Sequence, residues 1–143
     1  MLEALLNSVV ADIERAEALI VDSDDSIESV IRRMYQANRG RVLVCDRTGD
    51  LVGVFTQHDV ATRLSIHNTD WVGMPVSTVM THNPRCVYEH TPLSEILLLM
   101  TTGGFRSVPV VTMIESPTGL ISARDVLQYI ADTFPEEFLN LPP

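Results

Sequence analysis

Residues 53–60, GVFTQHDV, return 66 positions later as GLISARDV at 119–126. Each copy carries Gly, two apolar residues, a hydroxyl, two variable residues, Asp and Val. A chain that repeats itself at a fixed offset is built from similar structural units, which narrows the choice of folds more than composition does. The same offset lays residues 19–60 on 85–126 without a gap. Val21, Met34, Val42, Val44, Gly53, Asp59 and Val60 meet identical residues. Elsewhere the pattern outlasts identity. Ile27, Val30, Ile31 and Met34 become Leu93, Ile96, Leu97 and Met100, apolar at the i, i+3, i+4, i+7 spacing of an amphipathic helix.

Each copy reads as strand, helix, strand, strand, helix. The runs ALIV at 18–21 and RCVY at 85–88 are short and β-rich. Helices near 26–38 and 92–103 begin after Asp25-Ser26 and Thr91-Pro92, where a capping hydroxyl or a proline at the first helical position is expected. Asn38-Arg39-Gly40 and Gly103-Gly104 suit their ends. RVLVCD turns through Arg47-Thr48-Gly49-Asp50 into LVGVF, a hairpin signal. The second copy has Ser116-Pro117 in place of that glycine, so its hairpin is expected to be distorted, with Pro117 at a strand start or edge. Val60–Ile66 and Val126–Phe134 are read as closing helices, the second stopped by Pro135. The connection 67–84 holds a short helix near 76–80. Leu2, Leu5, Leu6, Val9, Val10 and Ile13 form an apolar stripe on a leading helix. The expected fold is therefore α/β (α+β): two β-α-β-β-α repeats packed into one pseudo-two-fold module behind an N-terminal helix. Residues 1–66 hold the helix and first repeat, and 67–143 the linker, second repeat and a short tail.

Composition bounds the partners. The chain of 143 residues has a formal net charge of −9, and its ten basic residues are all arginine. An acidic chain without a basic run is a poor match for nucleic acid or an anionic membrane surface. No apolar run approaches the roughly 18 residues that span a bilayer, and the acidic N-terminus does not read as a signal peptide. Cys45 and Cys86 lie in apolar stretches without metal-type spacing, as buried thiols of a reducing compartment do. The expected location is the cytoplasm.

Two explanations compete for the paired hydroxyl and Asp. Thr56-x-x-Asp59 and Ser122-x-x-Asp125 match a helix capping box, hydroxyl at N-cap and acid at N3. The alternative is a ligand. Gly53 and Gly119 stand inside strand-like runs, where glycine costs stability unless something must approach the backbone. A hydroxyl at a strand-to-helix junction lies beside free N–H groups that bind phosphate. A carboxylate one turn further on accepts hydrogen bonds from a ribose diol.

The run VSTVMTHNPRCVYEHTPLSEILLLM, then FRSVPVV and GLISARDVLQYIA, resembles a cystathionine-β-synthase (CBS) domain, with its MT-x-x-P opening, its PVV strand and its closing hydroxyl-x-x-Asp. DDSIESVIRRM, GRVLVCDRTGDLVGVFTQHDV resembles the same domain with a weaker opening, and tandem pairs are that family's usual form. The resemblance implies a non-catalytic regulatory module that binds adenine nucleotides in clefts between the repeats: AMP first, with ADP, ATP, S-adenosylmethionine or NAD as alternatives. It implies a homodimer signalling in trans to an effector protein, and no metal. Carried over by position, Thr56 and Ser122 contact phosphate while Asp59 and Asp125 hold ribose. Gly53, Val54, Gly119, Leu120 and Ile121 line the pockets. Arg124 neutralises phosphate, Arg106 is a second phosphate ligand, and the backbone around Asn83, Arg85, Cys86 and Ile20 reads the base. His58 stands where the second copy has Arg124, which leaves the first site with less positive charge.

Catalysis finds no foothold in the sequence. His58, His67, His82 and His90 lack metal-ligand spacing, and Ser122 has no nucleophile-elbow setting. The competing reading is a dimerisation scaffold with non-functional clefts, in which each hydroxyl–Asp pair serves only as a cap.

Overall fold

The computed structural model describes residues 2–133. The first helix, α1, covers Leu2–Asn7. β1 (Ile20–Asp22), α2 (Ile27–Ala37), β2 (Arg41–Cys45), β3 (Leu51–Thr56) and α3 (Gln57–Arg63) form the first repeat. A two-residue strand β4 (Thr81–His82) lies in the connection. The second repeat is β5 (Val87–Tyr88), α4 (Leu93–Thr102), β6 (Ser107–Val111), β7 (Pro117–Ser122) and α5 (Ala123–Thr133). The fold is mixed α/β with two β-α-β-β-α repeats, as the sequence implies.

The chain does not divide between its repeats in simple sequence order. One compact unit takes 18–85 with 113–117; the other takes 2–17, 86–112 and 118–133. In the first, the sheet order is β1-β2-β3-β4. β1 runs parallel to β2, and β2/β3 and β3/β4 are antiparallel. Its core joins Val21, Ile27, Val30, Val42, Val44 and Phe55 to Val76 and Met80 of the connection. In the second, β5-β6-β7 form the sheet, and Val10 and Ile13 pack with Val87, Ile96, Val110 and Ile121. The backbone bonds repeat at the same offset. Ile27 N–H donates to Met74 O and Val76 N–H to Asp25 O, each at 2.8 Å; Leu93 N–H donates to Ser8 O and Val10 N–H to Thr91 O, each at 2.9 Å. Each core thus borrows the segment that opens the other copy.

That borrowing cuts the leading helix short. α1 stops at Asn7, Val9 is extended, and Val10–Asp12 form a single 3₁₀ turn. Val10 and Ala11, whose N–H groups donate to Thr91 O and Glu89 O of the second repeat, cannot also continue a helix. Leu6 is left 61% exposed, so the stripe is not one buried face.

Smaller differences have local causes. Ser26 caps α2 by accepting from Ser29 N–H, and Asn38 ends it in the left-handed region. Pro92 occupies the N-cap position of α4 rather than its first turn, while the Thr91 hydroxyl accepts from Tyr88 N–H. α3 ends at Arg63 because Leu64 turns extended, and Ile66 lies beyond it. Val76–Thr78 is a 3₁₀ turn within the region read as a short helix. Pro117 does begin β7, and Glu115 at φ 66° takes the left-handed position held by Gly49 at φ 88° in the first hairpin. Leu43 N–H donates to Leu19 O at 2.9 Å. Its counterpart Pro109 has no N–H, and β5 is one residue shorter than β1. The end of α5 read at Phe134-Pro135 lies outside the described residues.

Candidate functional site

Both hydroxyl–Asp junctions form as strand-to-helix turns. At the first, Asp59 N–H donates to Thr56 Oγ1 at 3.2 Å and Thr56 N–H to Asp59 Oδ2 at 2.9 Å. At the second, Asp125 N–H donates to Ser122 Oγ at 3.1 Å and Ser122 N–H to Asp125 Oδ2 at 2.8 Å. The capping reading is therefore correct as local chemistry. It does not exhaust the carboxylates, because each cap uses Oδ2 and leaves Oδ1.

The two free oxygens have different fates. Asp59 is buried, and its Oδ1 lies 3.4 Å from Arg63 Nε. Asp125 is half-buried and borders a hollow of about 320 Å³ together with Asp12, Glu14, Gln128, Tyr129 and Asp132. Tyr129 occupies the position that Arg63 holds in the first repeat, and its hydroxyl bonds Ser8 Oγ at 2.7 Å. Another hollow, about 310 Å³, opens beside Tyr35, Arg39, Gly40 and Gln57, and neither Thr56 nor Asp59 lines it.

The glycines admit side chains of the protein itself. A Cβ on Gly53 would stand 2.8 Å from Met80 Cγ and Cε, and one on Gly119 would stand 3.0 Å from Arg15 Nε. Both glycines are buried, as are Phe55 and Ile121 on the same strand face. Ile121 belongs to the core, so only its main chain is available to a site. Val54 and Leu120 point to the opposite, half-buried face along with the two hydroxyls.

Ala123 N–H donates to Arg106 O at 2.9 Å, which brings Arg106 to the start of α5 beside Ser122 and Arg124. Both arginine side chains are exposed there. At the first junction the matching bond runs from Gln57 N–H to Gly40 O, with His58 in place of Arg124. Ile20 is 41% exposed and pairs with Leu43. Asn83 is held at φ 49° while its N–H donates to Val52 O. Ile20, Asn83 and Arg85 fall in the Thr56 unit, and Cys86, half-buried and in no disulfide, in the Ser122 unit.

Sequence reasoning missed Arg15, Arg63 and the carboxylates of the hollow. The offset alone sets Arg63 against Tyr129, a difference visible without coordinates. Arg15 is another matter. Its guanidinium pairs with Glu89, which also accepts from Thr118 Oγ1, and its Nη1 donates to Val10 O and Ile13 O. No spacing rule anticipates that. Burial raises the Cys45 thiol pKa, with Asp46, Asp50 and Asp22 adding to it. Among the described residues, no cluster of His, Cys, Asp and Glu could hold a metal, and no helix is long and apolar enough to cross a membrane.

Comparison with known proteins agrees with this architecture. The CBS domain model matches residues 10–66 and 76–132, the same 66-residue offset. A CBS domain-containing protein of Arabidopsis thaliana, CBSCBSPB1, is 35% identical over 96 residues; they make up 67% of this chain but only 18% of that protein. The solved CBS domain pair of protein MJ0100, in complex with 5′-methylthioadenosine and S-adenosyl-L-methionine, superposes with a TM-score of 0.73 at 22% identity, covering 88% of this chain and 98% of that one. CBSX2 in complex with AMP gives a TM-score of 0.73 at 20% identity, with 87% and 97% covered. Two copies of one domain model at a single offset, on a fold shared with solved CBS pairs, make this chain a member of the CBS domain family that carries a tandem pair.

Proposed function

We propose that the chain is a non-catalytic regulatory module that binds an adenosine compound at the Ser122–Asp125 junction and reports it to a protein partner in trans. One observation carries the reading: Asp125 keeps an oxygen outside its cap, at the rim of a hollow, one turn from a helix start that also gathers Ser122, Arg106 and Arg124. A carboxylate suits a ribose diol, and helix N–H groups with forked guanidinium donors suit a phosphate. The solved pairs with AMP and with 5′-methylthioadenosine and S-adenosylmethionine support the ligand class. Asp12, Glu14 and Asp132 around the hollow oppose a large negative charge. AMP, 5′-methylthioadenosine and S-adenosylmethionine therefore come before ATP. Ser122 acts through hydrogen bonding, not as a nucleophile. Cys45 and Cys86, neither in a disulfide, suit a reducing cytoplasm.

Thermal unfolding with that panel tests the proposal. Ligand at a hundred times its dissociation constant adds about 2.7 kcal/mol, a rise of roughly 5–10 °C for a chain of this size. Asp125→Ala should weaken AMP far more than its 2′,3′-dideoxy analogue. Equal losses would remove the ribose role.

The scaffold reading retains one supporting observation. α4 leaves Leu97 41% and Leu98 59% exposed, an apolar surface that suits a second copy of the chain. A nucleotide-insensitive dimer by sedimentation would favour it over the regulatory reading.

A further inference from the structure

The two junctions share a motif but not a chemical state. At the first, Asp59 is 6% exposed. Its Oδ2 accepts from Thr56 N–H at 2.9 Å and from the Thr56 hydroxyl at 3.1 Å. Its Oδ1 faces Arg63 Nε at 3.4 Å. Arg63 is itself tied down, since its Nη1 donates to Val79 O at 3.0 Å and to Met80 O at 3.3 Å. Met80 in turn fills the space that Gly53 leaves. One guanidinium thus forms an ion pair with the carboxylate and donates to the two carbonyls ahead of β4, with every group inside a single unit.

We infer that Arg63 is a built-in occupant of the Thr56–Asp59 junction, so that the chain takes one adenosine ligand, at Ser122–Asp125, and holds the other junction closed. The physical reason is competition for one oxygen. A ribose diol bonds a carboxylate through two neutral hydroxyls, whereas Arg63 offers a charge-assisted donor that is already in place. A ligand at the first junction must break that pair and leave a buried carboxylate to a weaker partner. At the second junction Tyr129 replaces Arg63. Its hydroxyl is turned to Ser8, and Asp125 borders the hollow with no cation paired to it among the described residues. The inference rests on the adenosine-binding reading above, and its test separates the two.

Calorimetric titration of the full chain with AMP and with 5′-methylthioadenosine reads the stoichiometry directly. The expected result is one ligand per chain for the wild type and two for Arg63→Ala, falling back to one when Asp59→Ala is added. Arg63→Gln, which keeps the stem and an uncharged donor, should bind its second ligand more weakly than Arg63→Ala. Arg63 is 45% exposed at its side chain, and alanine favours a helix, so folding should persist; the melting temperature checks it. Two ligands on the wild type, or one on the wild type and still one on Arg63→Ala, would overturn the occupancy claim. No ligand on the wild type but one on Arg63→Ala would keep Arg63 in its role and remove the proposal for Ser122–Asp125. Silence in both proteins would end both ideas.

Discussion

Glycine at 53 and 119 shows how one residue type can be read correctly and for the wrong occupant. Both positions do admit a close neighbour. The neighbour is Met80 in one repeat and Arg15 in the other, residues that lie far off in sequence from the glycines they meet. The backbone at Gly53 is not in the left-handed region, so its constraint is steric. Gly53→Ala should therefore destabilise by roughly 1–3 kcal/mol through overpacking against the buried Met80 side chain. The double variant with Met80→Ala should cost less than the sum of the singles, as contacting sites do. Additive losses in chemical denaturation would show that Met80 is not the obstacle. The hydroxyl–Asp pairs were legible as a motif, and both of the functions weighed for them use it. What no motif could state is which carboxylate oxygen stays free, because that depends on Arg63 and Tyr129 one turn away.

The elements followed from periodicity and turn chemistry wherever the forces were local. α2 runs between Ser26 and Asn38 because its cap and its left-handed stop are both adjacent in the chain. The first hairpin is anchored by Asp46, whose Oδ1 accepts from Thr48 N–H, the Thr48 hydroxyl and Asp50 N–H. The Thr48 hydroxyl is the main reason its carboxyl pKa is lowered. A lowered carboxyl favours the fold above its unfolded value near 3.9. That contribution disappears as pH falls through the folded value, so the tip of the hairpin should fray at low pH before the sheet does. Amide exchange at Gly49 against Val44 would read the order, and simultaneous exposure would contradict it. The second hairpin asks Glu115 to do what Gly49 does. Glu115→Gly should raise stability by roughly 0.5–1 kcal/mol, the left-handed penalty of an L residue reduced by glycine's extra freedom when unfolded. A lower melting temperature would mean that the glutamate side chain is needed there. β4 and the 3₁₀ turn at Val10 were not legible, because neither has a period of its own. Each is held by hydrogen bonds to a segment distant in sequence.

At the scale of the whole molecule, Val10 and Val76 are equivalent positions, and each is fully buried in the core of the other repeat's strands. Val10→Ala should cost roughly 1–3 kcal/mol by leaving a cavity. Amide exchange should quicken in β6 and β7 and leave β2 and β3 as they were. Faster exchange in β2 and β3 would refute the assignment of the N-terminal segment to the second unit. The sequence by itself determined that there are two like units, their order of strands and helices, and the two junctions where chemistry concentrates. Apolar spacing, caps and turn residues act within a few positions, and an internal repeat makes each reading check the other. Only the tertiary structure decided that each unit is completed by the opening segment of the other copy, and that one Asp is paired with a guanidinium while its twin borders a hollow. Those outcomes depend on which distant side chains meet after the chain has collapsed, a contest of burial and charge that no local pattern records.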